Sequence, residues 1–112
     1  MSGQTMVMIA GILVVAVFLI FGLIADEWYP PFESIVVASF AILIPLTKTE
    51  SIGGLSAGTL LTLVGYWLAV AGAWDFIEDI RFGWGGPEDV IASLILAAAA
   101  VVAFLGARAI KA

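Results

Sequence analysis

The 112-residue chain contains no cysteine and no histidine. Without cysteine there are no disulfides and no thiol chemistry; without either residue the usual zinc sites and haem ligation through His or Cys are excluded. The side chain best suited to proton exchange near neutral pH is missing as well. Charge is also scarce. Asp, Glu, Lys and Arg make up 12% of the residues, against about 25% in an ordinary soluble domain. Four basic residues face nine acidic ones, for a formal net charge of −5. Nucleic-acid binding needs a basic face, so no nucleic-acid partner is expected. A surplus of acid in the loops is the composition that a high-salt cytoplasm or medium favours, as in a halophile.

What fills the chain instead is apolar surface. Hydrophobic residues account for 63% of it, and mean hydropathy is +1.20. A small soluble domain buries the smallest fraction of its chain and cannot hide that much apolar area. The surroundings must be apolar too. The expected fold is all-α: a polytopic membrane protein with four transmembrane helices in two hairpins and a short outer interfacial helix.

Four apolar runs carry this expectation, at about 5–25, 32–49, 52–74 and 88–107. At 1.5 Å per residue the first reaches roughly 31 Å, which matches a bilayer's hydrocarbon thickness. A cleaved signal peptide would want Lys or Arg before a shorter stretch and a small-x-small cleavage site. Ser2, Gln4 and Thr5 supply no charge, and Leu23-Ile24-Ala25 is a poor site. Helix 1 is bulky, with Val14, Val15, Val17, Phe18 and Leu19, which suits lipid contact. The second run spans only if Phe32–Leu46 extends to Thr49; otherwise it is a re-entrant segment. Gly86-Pro87-Glu88-Asp89 reads as a helix start, with a first-turn proline and two acids at the positive end of the dipole.

Charge orients the chain. With four spans, Lys48, Arg108 and Lys111 share one side with the single acid Glu50. The other eight acids and Arg81 lie on the opposite side. Lys and Arg mark the cytoplasmic side, so both termini are expected in the cytoplasm of a cell-membrane protein.

Glu33-Ser-Ile-Val-Val-Ala-Ser and Glu88-Asp-Val-Ile-Ala-Ser each follow a proline, and each comes after a helix ending in Trp and acid. Two such hairpins, with Trp28 and Trp74 near the outer ends of their first helices, resemble the SPW-repeat membrane proteins. The resemblance covers both hairpins loosely and implies architecture only; no Ser-Pro-Trp triplet occurs. Size and span count are also similar to the small multidrug resistance exporters. Those rely on a membrane-embedded Glu in helix 1, and Ile9 to Ile24 contains none.

Small residues suggest where helices pack. Gly54 and Gly58 form G-x-x-x-G, continued at four-residue spacing by Gly65, Ala69 and Ala73, and Ala99 and Ala103 answer on helix 4. Such stripes let backbones approach closely in lipid, within the chain or between protomers. Trp28, Tyr29, Trp74 and Trp84 are expected anchors in the headgroup zone. The segment 74–84 alternates Trp74, Ile77, Arg81 and Trp84 with Asp75, Glu78 and Asp79, the pattern of a helix lying in the interface with a solvated acidic face. Arg81 is expected to pair with one of those acids. No catalytic, cofactor-binding or metal-binding residue is expected. The chain is expected to be a non-catalytic structural or accessory subunit, with membrane lipids and a homo-oligomer or larger membrane complex as partners. Two alternatives stand: an oligomeric passive channel lined by Ser56, Thr59, Thr62 and Tyr66, and a small subunit of a membrane enzyme complex that contacts a lipid-soluble substrate such as a quinone.

Overall fold

Helices begin where a side chain can satisfy their first free N–H groups. In a computed structural model, which describes residues 2–23, 32–83 and 86–110, Ser2 Oγ accepts from the Thr5 amide at 3.2 Å and opens α1 (Gly3–Val17). A π-helical turn, Phe18–Leu23, prolongs it. The second helix, α2 (Phe32–Leu46), carries Glu33 in its first turn. Ser56 Oγ accepts from the Thr59 amide at 3.2 Å to open α3 (Ala57–Phe82). The last helix, α4 (Pro87–Ala109), starts on a first-turn proline followed by Glu88 and Asp89. A two-stranded antiparallel hairpin, β1 (Ser51–Ile52) and β2 (Leu55–Ser56), precedes α3.

Close approaches fix how the helices run. Gly3 lies against Gly106 and Ile110, and Gly11 against Ala38 and Ala41. Gly65 lies against Ala103 and Ala107, and Gly72 against Leu96 and Ala100. So α1 is antiparallel to α2 and to α4, and α3 is antiparallel to α4. The start of α1, the end of α2, the hairpin and the end of α4 gather at one end of a body 43 Å long and 23 Å across.

The interior reverses the soluble pattern. Among the described residues, nine of the sixteen buried hydrophobic ones are alanines and none is aromatic, while Val70, Phe82, Trp74 and Leu63 are more than half exposed. Small residues inside and large ones outside is how helices associate when lipid supplies the apolar surroundings. Three helical stretches are apolar and long enough to cross a membrane: Gly3–Phe21, Ala57–Phe82 and Pro87–Ala109. α2 has 15 residues, about 22 Å of helix.

Several expectations need correction. The second run does not extend as helix to Thr49: Lys48, at φ 54°, ends it, with Thr49 N donating to Ile44 O and Lys48 N to Pro45 O. That paired closure satisfies the last free carbonyls. Helix 3 starts at Ala57, not Ile52, because Ser51–Ser56 folds into the hairpin. Its turn, Gly53 (φ 59°) and Gly54 (φ 85°), is a two-residue loop that requires positive φ at both positions. No separate interfacial helix breaks off after Trp74; α3 continues unbroken to Phe82 over 26 residues. Nor is helix 1 chiefly a lipid-facing element: Val7, Val14 and Val17 are buried in the core, while Leu19 and Ile20 are exposed.

Candidate functional site

The expected packing residues fall in four different settings. Gly65, Ala69, Ala99 and Ala103 are buried between α3 and its neighbours. A Cβ on Gly65 would stand 2.8 Å from Ala107 Cβ and 3.0 Å from Val7 Cγ2. Gly58 lies in the first turn of α3, where its carbonyl accepts from Thr62 Oγ1 at 2.7 Å. Gly54 is in the hairpin turn, and a Cβ added there would meet nothing within 4 Å. It takes no part in helix packing, so the G-x-x-x-G pair does not form. Ala73 is exposed. The four-residue stripe also passes over Gly3, Gly11, Gly72 and Gly106, whose added Cβ atoms would all fall within 2.9 Å of a neighbouring helix.

Ala73 lines a groove instead. Tyr66, Ala69, Val70 and Ala73 of α3 face Ala100, Val101, Phe104 and Leu105 of α4 across a cavity of about 410 Å³. Tyr66 and Phe104 close one end edge to face, with ring centroids 5.9 Å apart. The groove opens outward, between the two helices that pack most closely on each other, and its lining is apolar.

Three of the four hydroxyls expected along a polar path, those of Ser56, Thr59 and Thr62, are engaged locally. Ser56 Oγ donates to Thr59 Oγ1 at 2.9 Å, and Thr62 is bonded to its own helix as described. Of the anchors, Trp74 is exposed on α3; Trp28, Tyr29 and Trp84 lie outside the described residues. Arg81 makes no ion pair among the described residues; its guanidinium sits 5.4 Å from the centre of the Phe82 ring, a cation–π contact.

The acids of 75–79 do not form a freely solvated face. Asp75 and Asp79 are half-buried, because the unbroken helix turns their side toward the bundle. Asp75 borders a small cavity of about 10 Å³ shared with Val14, Ser34, Leu68, Gly72 and Leu96. One turn on, Asp79 Oδ2 and the fully buried Ser93 Oγ of α4 both lack a hydrogen-bond partner among the described residues. The Ser93 hydroxyl is close enough to act on the Asp79 carboxylate, but the pair falls outside hydrogen-bond geometry. Among the described residues no three acidic side chains converge as metal ligands.

The chain matches no family model, no curated protein and no solved structure.

Proposed function

We propose that this chain is a small non-catalytic integral membrane protein that spans the cell membrane four times, with both termini in the cytoplasm, and serves as an accessory or self-associating helical subunit. The observation that supports this reading most is the reversed packing. Alanine and glycine fill the interior, and large apolar side chains cover the exterior. Helices closed at that spacing put the larger spaces at the surface of the bundle, in open clefts, so what the protein offers is its outside. The groove between α3 and α4 is a shaped, apolar part of that exterior. The engaged hydroxyls of Ser56, Thr59 and Thr62 favour this reading over a passive channel.

Orientation follows from charge: Lys48 and Arg108 occupy the end that also holds the start of α1, and basic residues stay on the cytoplasmic side. The repeated proline–acid–helix starts at Glu33 and Glu88, with the resemblance to SPW-repeat proteins, fit a paired-hairpin origin.

The test is reporter fusion at each terminus together with recovery from membranes in mild detergent. Cytoplasmic signals at both ends, and a mass above that of one chain after correction for detergent, are expected. A C-terminal reporter outside the cell would remove the four-span topology. A strictly monomeric, partner-free protein would remove the accessory role.

A further inference from the structure

We propose that the end of the bundle opposite Lys48 holds a small monovalent cation, of the sodium type, between the Asp79 carboxylate, the Ser93 hydroxyl and the neighbouring Asp75 carboxylate. Two independent observations meet there. Asp75 and Asp79 stand one helical turn apart on α3, the spacing that places side chains together on one face. Across from them Ser93 is fully buried, at 0% exposure, with its Oγ unpartnered, and Asp79 Oδ2 is unpartnered too. These are the two buried side-chain polar atoms without a hydrogen bond among the described residues, and they face one another across α3 and α4.

Buried polar atoms are nearly always paired, since leaving one unmade costs the desolvation of that group. A full hydrogen bond between Ser93 and Asp79 would need the two to shift, whereas a cation between them would satisfy both oxygens where they stand. Charge agrees. Asp75, Glu78 and Asp79 on α3 and Asp89 on α4 act on one another at this end, while the one nearby cation among the described residues, Arg81, is turned out over Phe82. The field favours a positive ion.

The donor set narrows which ion. Calcium takes about six to eight oxygens, and magnesium holds a strict octahedron of oxygens; among the described residues no three acids converge. Three protein donors in so small a space are too few for calcium's shell and leave no room for the waters that magnesium keeps, which leaves a small monovalent ion. Asp75 also borders, with Ser34, a cavity of about 10 Å³, a size that admits one water on the Asp75 side of a small ion and leaves no room for a hydrated large one.

The experiment uses the full chain in mild detergent. Unfolding temperature is measured while sodium chloride replaces choline chloride at constant ionic strength, with potassium and calcium in parallel. An ion that binds only the folded state raises stability in a saturable way. Saturable stabilisation by sodium is expected in the natural protein and in Glu50→Gln, at the far end. Asp79→Asn should abolish it, and Ser93→Ala should weaken the apparent affinity about fivefold, the loss of one neutral ligand. Equilibrium dialysis with radioactive sodium should find a single ion per chain. Equal sodium and choline curves, or an unaltered sodium response in Asp79→Asn, would overturn the proposal. So would stabilisation that follows pH alone, which would make the pair a proton site, or calcium binding tighter than sodium. Should Asp79→Asn fail to insert, Ser93→Ala decides: an unchanged sodium affinity overturns the site.

Discussion

At the scale of single residues, the difference between Gly72 and Ala73 carries much of the packing. Counting by four from Gly65 leads to Ala69 and then Ala73, but an α-helix turns 100° per residue, so eight residues drift about 80° from the starting face. Seven residues drift only about 20° the other way, and Gly72 is what α4 meets. A Cβ there would come within 2.8 Å of Leu96 O and 2.9 Å of Ala100 Cβ. Backbone cannot move aside cheaply. Gly72→Leu should therefore destabilise the bundle by about 1–3 kcal/mol or more, as overpacking does, whereas Ala73→Leu, on the exposed wall of the groove, should leave the monomer's unfolding temperature nearly unchanged. Equal losses in the two variants would contradict the assigned face. Small residues at helical spacing were readable in the sequence; which of two adjacent ones faces the partner depends on a rotation that composition does not encode. The groove wall adds a second use for the pair: if Ala73→Leu spares the monomer but weakens assembly, the groove is where a partner sits.

Elements show the same division between what pattern reveals and what it hides. The start of α4 was legible, because a first-turn proline followed by two acids is a local signal. The β1–β2 hairpin was hidden inside an apolar run, although Gly53-Gly54 between Ile52 and Leu55 is itself a hairpin turn signature. Gly54, at φ 85°, should not tolerate a side chain: Gly54→Ala would cost about 1–2 kcal/mol of local strain. Because the hairpin is exposed, the loss should appear as faster hydrogen exchange at the Ala57 amide, which donates to Glu50 O at 2.8 Å, and a protected amide in the variant would argue against the turn. The outer segment offers a sharper contrast. Alternating apolar and acidic residues after Trp74 fit a separate helix lying flat, yet equally fit two more turns of α3 with one side against α4. Phe76→Pro tells them apart. Proline is harmless in the first turn of a new helix but costs roughly 3 kcal/mol in a helix interior, where it also removes a hydrogen bond. The continuous helix predicts the large loss, read as a lowered unfolding temperature in detergent; a variant as stable as the natural chain would restore the flat helix.

For the whole molecule, hydropathy alone points to a membrane, and the signs of the charges supply the orientation proposed above. Helix length was not readable to the same accuracy, since apolar loops and apolar helices share a composition. The bundle that results is uneven. α3 has 26 residues and α2 has 15, which makes about 39 Å and about 22 Å of helix against a hydrocarbon core of about 30 Å. The longer helix can project its charged last turns beyond the hydrocarbon, where Glu78, Asp79 and Arg81 are at home. On the four-span topology proposed above, the shorter one has no such freedom. Its ends, Glu33 and the closing turn at Lys48, would be drawn toward the apolar layer, and its least costly adjustment is local thinning of the bilayer, at fractions of a kcal/mol per Å of mismatch. The thin membrane should therefore be the stable one. In vesicles of graded acyl-chain length, unfolding temperature is expected to peak where the hydrocarbon is a few Å thinner than average and to fall as it thickens, because every added Å strains α2 while leaving α1, α3 and α4 room to adapt. Inserting Leu-Ala-Leu-Leu after Val36 would lengthen α2 by about 6 Å, a full turn plus a little, and should shift the peak toward thicker vesicles. Stability that rises steadily with thickness in the natural chain would mean that α2 does not cross the bilayer, and that the segment dips into it from the end where Lys48 lies.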